Sequence, residues 1–141
     1  GVVGYVAWAC EQAPDSDIQD FIHVLSLAVA ERWRGKGVGR RLLFHVEARA
    51  AQLFPAAELM LLHVRASNLP ALRLYSHCGF AVAAMVRGFY SGNDAYQMRK
   101  PLQRRGLSRV LRARLLGAGP LPEYDETISL RWGRDACSCL L

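Results

Sequence analysis

The apolar residues of the chain fall into short β-rich runs and longer runs with helical spacing. Five runs are short and are bounded by glycine, proline or charged residues, which is typical of strands. They cover residues 2–9, 21–29, 59–65, 80–86 and 94–102. The acidic segment 11–20 contains Pro14 and predicts a loop, and residues 87–93 predict a second, turn-rich loop.

Two segments have the period of an amphipathic helix. Residues 38–54 carry apolar side chains at helical spacing, and Pro55 lies beyond the end of this helix. Its apolar face is formed by Val38, Leu42, Val46, Ala50 and either Leu53 or Phe54. A second helix is expected after Asn68, a good N-cap residue, with Pro70 in its first turn and Gly79 at its C-terminal end.

The order β-loop-β-α-β-α-β-loop-β predicts an α/β or α+β domain in which helices pack on a sheet. The 141 residues suffice for one domain, which we assign to residues 1–102. Residues 103–119 interleave five arginines with leucine and valine, which predicts a basic amphipathic helix. This helix could pack on its own domain, on an anionic membrane or on RNA. Residues 120–141 show little pattern and are compatible with disorder.

The composition restricts the class of protein and of partner. The chain is 52% hydrophobic, as globular domains are, and its apolar runs are too short to span a membrane. The net charge of +6 suits an anionic partner: a nucleotide cofactor, ribosomal RNA or an acidic membrane. Composition does not choose among these three.

The cysteines and the start of the chain bear on its cellular location. Four cysteines show neither a C-x-x-C pair nor zinc spacing with histidine, so we expect reduced thiols in an intracellular protein without a metal site. No secretory signal is visible at the start. The chain also lacks an initiator methionine, which suggests a fragment.

The most informative segment is the turn between the second strand and the first helix. It reads Arg34-Gly35-Lys36-Gly37-Val38-Gly39. Glycines let the backbone turn sharply and approach a ligand, and a helix starting near Gly37 would direct unpaired N–H groups at an anion such as phosphate. The segment lacks the G-K-[ST] of a P-loop and is a poor dinucleotide fingerprint. A basic turn that binds nothing is the alternative.

Further motifs follow in order along the chain. They are Leu25–Val29, Arg34-x-x-Gly37-x-Gly39, the Leu62-His63-Val64 stretch with Ser67-Asn68 and Leu74-Tyr75, and Phe89-Tyr90 followed by Asp94-Ala95-Tyr96. Over about residues 2–102 this resembles the Nα-acetyltransferase branch of the GNAT superfamily. It is most similar to the NatA catalytic subunit and, at a greater distance, to bacterial ribosomal-protein alanine acetyltransferases. The resemblance implies a mixed sheet flanked by helices. It also implies that the strand–helix–helix–strand portion that begins these domains is missing here.

The resemblance implies an acetyl-CoA site on the second strand, the turn and the second helix. Its pantetheine arm would pair with Leu27, Ala28 and Val29, and its pyrophosphate would lie on the turn. The turn residues implied are Arg34, Gly35, Lys36, Gly37, Val38, Gly39 and Arg40. Asn68 and Tyr75 would complete the cofactor site.

The resemblance also implies catalytic and peptide-binding residues. His63 and His23 are the candidate bases, because histidine titrates near neutral pH and family members use residues at these positions. Tyr75 is the candidate acid for the CoA sulfur. Phe89 and Tyr90 match a Tyr-Tyr pair that grips the first residues of the peptide, and the first ring here lacks its hydroxyl. For each of these side chains, a purely structural role in the core or under a loop is the alternative.

The implied activity is acetyl transfer from acetyl-CoA to the α-amino group of protein N-termini in the cytoplasm. Protein N-terminal peptides, an auxiliary NatA-type subunit and the ribosome would be the partners. A truncated, inactive paralogue that binds CoA or a partner subunit is one alternative. An acetyltransferase acting on lysine or small amines is another.

Overall fold

The computed structural model describes residues 1–12, 20–102 and 137–140. The described residues form six strands, two α-helices and a short 3-10 helix, Glu31–Trp33, that precedes the first α-helix. The strands are β1 (Gly4–Gln12), β2 (Asp20–Val29), β3 (Leu59–Arg65), β4 (Ala81–Tyr90), β5 (Asn93–Pro101) and β6 (Cys137–Leu140). The helices are α1 (Val38–Leu53) and α2 (Leu69–His77).

The described strands form one mixed sheet in the order β4-β5-β3-β2-β1-β6. β2 and β3 are parallel because α1 connects them as a crossover, whereas the other neighbours are antiparallel. The predicted mixed sheet flanked by helices is therefore confirmed.

Both helices pack on one face of the sheet. The apolar stripe of α1, which includes Leu42, Val46 and Ala50, is fully buried against that face. The sheet contributes Val6, Trp8, Ile22, Val24, Met60, Leu62, Val64 and Met98 to the same core. Alternate residues of each strand point to the opposite face, where the polar side chains discussed below are found.

The helical pattern predicted the buried face of α1 closely. Phe54 packs edge-to-face on Trp8 with 6.1 Å between ring centroids, whereas Leu53 is 44% exposed. Of the two alternatives at the end of this helix, Phe54 is thus the core residue. α1 ends two residues before Pro55, which cannot continue a helix without losing a hydrogen bond.

Two parts of the sheet differ from the expectation. Residues 87–90 belong to β4 rather than to a loop, so the connection to β5 is a tight turn at Ser91 and Gly92, both with positive φ. The periodicity was misleading here because Gly88 and a register shift interrupt the alternation. Residues 137–140 form β6 on β1, although the segment 120–141 shows no strand pattern. The basic segment 103–119 lies outside the described residues.

Candidate active site

A wedge opens in the middle of the sheet where two parallel strands separate. β2 and β3 are in register only as far as Val24 and Leu62. At the same point the register between β1 and β2 skips Leu25, which is therefore an extra, bulged residue. A bulge bends its strand and increases the local twist. β2 stays paired with β1 as far as Val29 but turns away from β3.

The diverging half of β2 presents a strand edge to this wedge. Leu27, Ala28 and Val29, the predicted pantetheine contacts, lie on this edge and are half-buried. Backbone N–H and C=O groups along such an edge can pair with an extended ligand that carries amides. The carbonyl of Val29 accepts a hydrogen bond of 3.1 Å from Nε of Arg34, which ties the end of β2 to the following turn.

The glycine-rich turn has the backbone geometry that an anion site requires. Gly35 and Gly37 adopt positive φ values of 72° and 79°, which side chains disfavour. Gly37 is the N-cap of α1, and no side chain caps this helix end. A Cβ at either glycine would find no heavy atom within 4 Å, so the space beside the first turn of α1 is open. The free N–H groups at the start of α1 and the positive end of its dipole therefore point to a space that could hold an anion.

The third glycine of the motif, Gly39, is required for packing and not for an unusual backbone conformation. Gly39 is buried inside the first turn of α1, and a Cβ there would lie 2.8 Å from Cδ2 of Leu74. It allows α1 to pack closely on α2 and does not line open space. The start of α1 and the middle of α2 are thereby held together beside the wedge.

Exposed cations surround the turn. The Lys36 ammonium lies 4.9 Å from the centroid of the Trp33 ring, and the Arg32 guanidinium lies 5.9 Å from it. Arg40 and Arg41 are exposed in the first turn of α1. Their charge adds to the field of the helix N-terminus and favours a phosphate there.

His23 lies within hydrogen-bond distance of a carboxylate on the neighbouring strand. Nδ1 of His23 lies 3.1 Å from Oε1 of Glu11, and the two side chains are 10% and 27% exposed. The pairing of Ala9 with His23 places Glu11 diagonally across the β1–β2 ladder on the same face. A carboxylate at Nδ1 favours the tautomer that has its proton on that nitrogen.

His63 lies beside His23 but contacts different side chains. The ring centroids of the two histidines are 5.6 Å apart, and Phe89 stacks on His63 at 4.5 Å. Arg99 donates through Nε to Oε1 of buried Gln97 at 2.9 Å, so the Gln97 amide nitrogen faces Nε2 of His63, at 3.5 Å. Burial, then His23 and Arg99, lowers the pKa of His63 from 6.5 to about 4. His63 is thus neutral at pH 7.

Tyr75 approaches from the helical side of the sheet. It is 8% exposed on α2 and packs against Phe80 with 5.9 Å between ring centroids. Burial, then Tyr90 and Cys78, raises the pKa of Tyr75 to about 12. Its hydroxyl therefore keeps its proton at neutral pH. Asn68 caps the same helix by accepting a hydrogen bond of 3.2 Å from the Ala71 N–H.

The two aromatic residues at the end of β4 line the same region. Phe89 is 43% exposed, although one face of its ring covers His63. The Tyr90 hydroxyl donates to the backbone carbonyl of His63 at 3.2 Å, and Arg65 lies 4.9 Å from the centroid of the Tyr90 ring. Tyr90 therefore joins the end of β4 to the end of β3.

Comparison with known proteins decides the family. The family model for GNAT acetyltransferases matches residues 2–80, more than half of the chain. The chain belongs to the GNAT acetyltransferase family.

Individual relatives place this GNAT domain near the N-terminal acetyltransferases. It is 42% identical over 81 residues to the N-alpha-acetyltransferase of Sulfurisphaera tokodaii, covering 57% of this chain and 48% of that protein. It is 35% identical over 101 residues to the catalytic subunit ard1 of the Schizosaccharomyces pombe N-terminal acetyltransferase A complex, covering 70% and 56%. The resemblance to the NatA branch is confirmed. The chain spans about half the length of the curated relatives it matches.

A solved structure supports the fold and the cofactor class. The domain superposes on Arabidopsis thaliana NAA60 in complex with acetyl-CoA with a TM-score of 0.63 and 26% identity. The match covers 70% of this chain and 65% of that one.

The GNAT fold brings most of the predicted site residues close to the wedge, either at its open mouth or near the point where β2 and β3 separate. The edge of β2 and the turn lie at its mouth, and His23, His63 and Phe89 lie together on the sheet face opposite the helices. Tyr75 comes from the helical face. Gly39 differs from the rest because its packing against Leu74 accounts for it.

Sequence reasoning missed three residues that contact the histidines. The sequence pattern places Glu11 in an acidic loop and predicts only a strand at Gln97 and Arg99. Strand alternation carries a signal for the last two, because His63 pairs with Gln97 in the β3–β5 ladder. Nothing local indicates Glu11, because its partner is set by the β1–β2 register.

Metal ions and membrane spans have no support in the described residues. Across residues 1–12 and 20–102, no three His, Cys, Asp or Glu side chains are grouped as metal ligands would be. No helix of the described part of the chain is long and apolar enough to cross a membrane.

Proposed function

We propose that this chain transfers the acetyl group of acetyl-CoA to the α-amino group of protein N-termini. The observation that carries the proposal is the wedge: a strand edge and an open helix N-terminus lie where β2 leaves β3, and His23 lies on β2 just before that point. Membership of the GNAT family and the names of the relatives support the reaction class.

The donor site would use backbone more than side chains. The pantetheine arm of acetyl-CoA is extended and contains two amides, which suit the exposed edge at Leu27–Val29. The pyrophosphate suits the N–H groups of the first turn of α1, next to the open space at Gly37. Arg34 supports this site by fixing the end of β2, and Arg40 and Lys36 contribute charge. Asn68 is proposed to contact the pantetheine arm with the part of its amide that capping does not use.

His23 is the better candidate for the base. An incoming α-ammonium must lose a proton before its nitrogen can attack, and an imidazolium formed at His23 would be paired with Glu11. His63 is less suited to this step because its pKa of about 4 is far from the working pH. We propose that His63 instead holds a neutral, stacked position that shapes the floor of the site.

Tyr75 is proposed as the acid. The amine nitrogen bonds to the thioester carbon and releases its remaining extra proton to water, the C–S bond breaks with its electron pair on sulfur, and the thiolate takes a proton from the tyrosine hydroxyl. Water then returns a proton to Tyr75. A hydroxyl with a pKa of about 12 is fully protonated at neutral pH, which this role requires.

The acceptor peptide is proposed to lie over the sheet face that carries His63 and Phe89. Phe89 is exposed on the side away from His63 and offers an apolar wall to the first residue. The Tyr90 hydroxyl donates to the His63 carbonyl, so this hydrogen bond would have to break before the hydroxyl could donate to the peptide backbone. We propose that Tyr90 contributes to peptide binding mainly by holding the end of β3 in place.

The cellular setting is part of the proposal. We place the protein in the cytoplasm, acting on N-termini near the ribosome, with an auxiliary subunit of the NatA type. The basic segment 103–119 would supply any peripheral contact with an anionic membrane. The net charge of +6 supports anionic surroundings of this kind.

A transfer assay with paired peptides tests the proposal. Labelled acetyl-CoA is offered with short peptides beginning with Ser, Ala, Glu or Met, each with a free or a blocked α-amine. Transfer to the free peptides alone is expected. Equal transfer to blocked peptides that contain lysine would identify a lysine or small-amine acetyltransferase. Acetyl-CoA binding without any transfer would identify a CoA-binding paralogue.

A further inference from the structure

Among the residues that the structure describes, Glu11 is the charged group in direct contact with His23. The carboxylate oxygen lies 3.1 Å from Nδ1 of the imidazole, and both side chains are largely buried. They come from neighbouring antiparallel strands, so the sheet register and not a mobile loop fixes the contact. A rigid carboxylate–imidazole contact of this kind orients the ring and selects its tautomer.

The other neighbours of His23 within residues 1–12 and 20–102 cannot replace this contact. Phe21, on the same strand, lies 6.2 Å from the imidazole between ring centroids and offers no hydrogen bond. His63, on β3, is neutral and is engaged by Gln97. Arg99, on β5, acts on His63 rather than on His23, and as a cation that donates to Gln97 it could not stabilise an imidazolium. Among these groups only Glu11 can accept a hydrogen bond from Nδ1 and stabilise an imidazolium.

We propose that Glu11 is a positioning residue: it holds the His23 proton on Nδ1, so that Nε2 carries the lone pair that receives the proton of the acceptor amine. The catalytic consequence rests on the proposed function. The proton passes from the amine nitrogen to Nε2, and the charge that forms on the ring is balanced by the carboxylate at Nδ1. Glu11 itself only accepts the hydrogen bond from Nδ1 and touches neither substrate.

The first test reads the tautomer directly and needs no activity. Long-range ¹H–¹⁵N spectra of the ¹⁵N-histidine-labelled protein distinguish a proton on Nδ1 from one on Nε2. In the wild-type protein, the neutral form of the His23 ring should carry its proton on Nδ1. Glu11→Ala should shift it toward the Nε2 form that free histidine prefers, whereas Glu11→Gln, which keeps an acceptor oxygen, should retain the wild-type form. Wild-type His23 with its proton on Nε2 would overturn the proposal.

The second test reads the rate with matched variants. Glu11→Ala should lower kcat by about 10- to 100-fold, the range typical of residues that orient a functional group, with KM for acetyl-CoA within about twofold of wild type. Glu11→Asp, which keeps the charge, should recover part of the loss. Gln12→Ala, an exposed neighbour on the same strand, is the control and should match wild type. Unchanged kcat in Glu11→Ala would overturn the proposal.

The two tests separate this inference from the proposed function. If the wild-type protein binds acetyl-CoA but acetylates no peptide, the proposed function fails, and the spectra alone decide whether Glu11 sets the His23 tautomer. If the wild-type protein is active and Glu11→Ala is equally active, the function stands and the role of Glu11 is refuted.

Discussion

Replacing Gly37 with alanine should damage stability modestly and acetyl-CoA binding strongly. Gly37 has a φ of 79° and is the N-cap of α1, and a Cβ there would meet no heavy atom within 4 Å. The substitution therefore causes no internal clash. Its two effects are backbone strain, which acts on folding, and a methyl group in the open space where the pyrophosphate is proposed to bind.

The magnitudes follow from these two effects. A side chain in the left-handed region costs about 1–2 kcal/mol, and each kcal/mol lowers Tm by about 4–8 °C in a domain of roughly 100 residues. Relief of the strain by a change in φ would turn N–H groups away from the anion. Loss of one charge-assisted hydrogen bond costs about 1.5–3 kcal/mol, which corresponds to a Kd for acetyl-CoA raised by about 10- to 150-fold.

Gly92→Ala provides a matched control. Gly92 also has a positive φ, 92°, and open space around a Cβ, but it lies in the β4–β5 turn. Both variants should lose similar stability by thermal unfolding, and calorimetric titration should show weakened acetyl-CoA binding in Gly37→Ala alone. Wild-type affinity in Gly37→Ala, at the same loss of Tm as the control, would refute the assigned anion site.

Three further perturbations test other parts of the account. Because His63 has a pKa of about 4 when folded and 6.5 ordinarily, the unfolded chain binds a proton that the folded chain does not, so stability should fall as the pH drops from 6.5 toward 4. Urea unfolding measures how much the free energy of unfolding falls between pH 7 and pH 4.5, and this fall should be about 2–3 kcal/mol smaller in His63→Gln than in wild type. The surface variant His45→Gln is the control and should behave like wild type. An equal fall in wild type and His63→Gln would contradict the lowered pKa of His63. Gly39→Val should cost about 1–3 kcal/mol through overpacking on Leu74, and Leu74→Ala should recover part of it in a double-mutant cycle; strict additivity would show that the two do not touch. Tyr75→Phe should lower kcat by about 10-fold or more while acetyl-CoA binding persists, and an unchanged kcat would exclude Tyr75 as the acid.

The sequence pattern predicted the helices and the glycine-rich turn because residues close together in the chain determine them. The stripe of α1, the capped start of α2 at Asn68 and the turn around Gly37 all depend on residues within a few positions of each other. The wedge depends on something else. The skipped pairing at Leu25 is a property of the register between strands, which no short window contains.

The site residues divide in the same way into those that a short motif reveals and those that it does not. The motif pointed to His23 and His63, but their different surroundings come from Glu11 on one side and Gln97 with Arg99 on the other. These contacts cross strands that are distant in sequence. The variants at Glu11, His63 and Tyr75 test the proposals made for the two histidines and the tyrosine.

The most direct test of the central claim uses one peptide that carries both a free α-amine and an internal lysine. The chain is incubated with this peptide and acetyl-CoA, and fragment-ion mass spectrometry locates the acetyl group. We expect a single acetyl group on the α-nitrogen and an unmodified lysine. Acetyl on the lysine ε-nitrogen, or an unmodified peptide in the presence of bound acetyl-CoA, would contradict the proposed Nα-acetyltransferase activity.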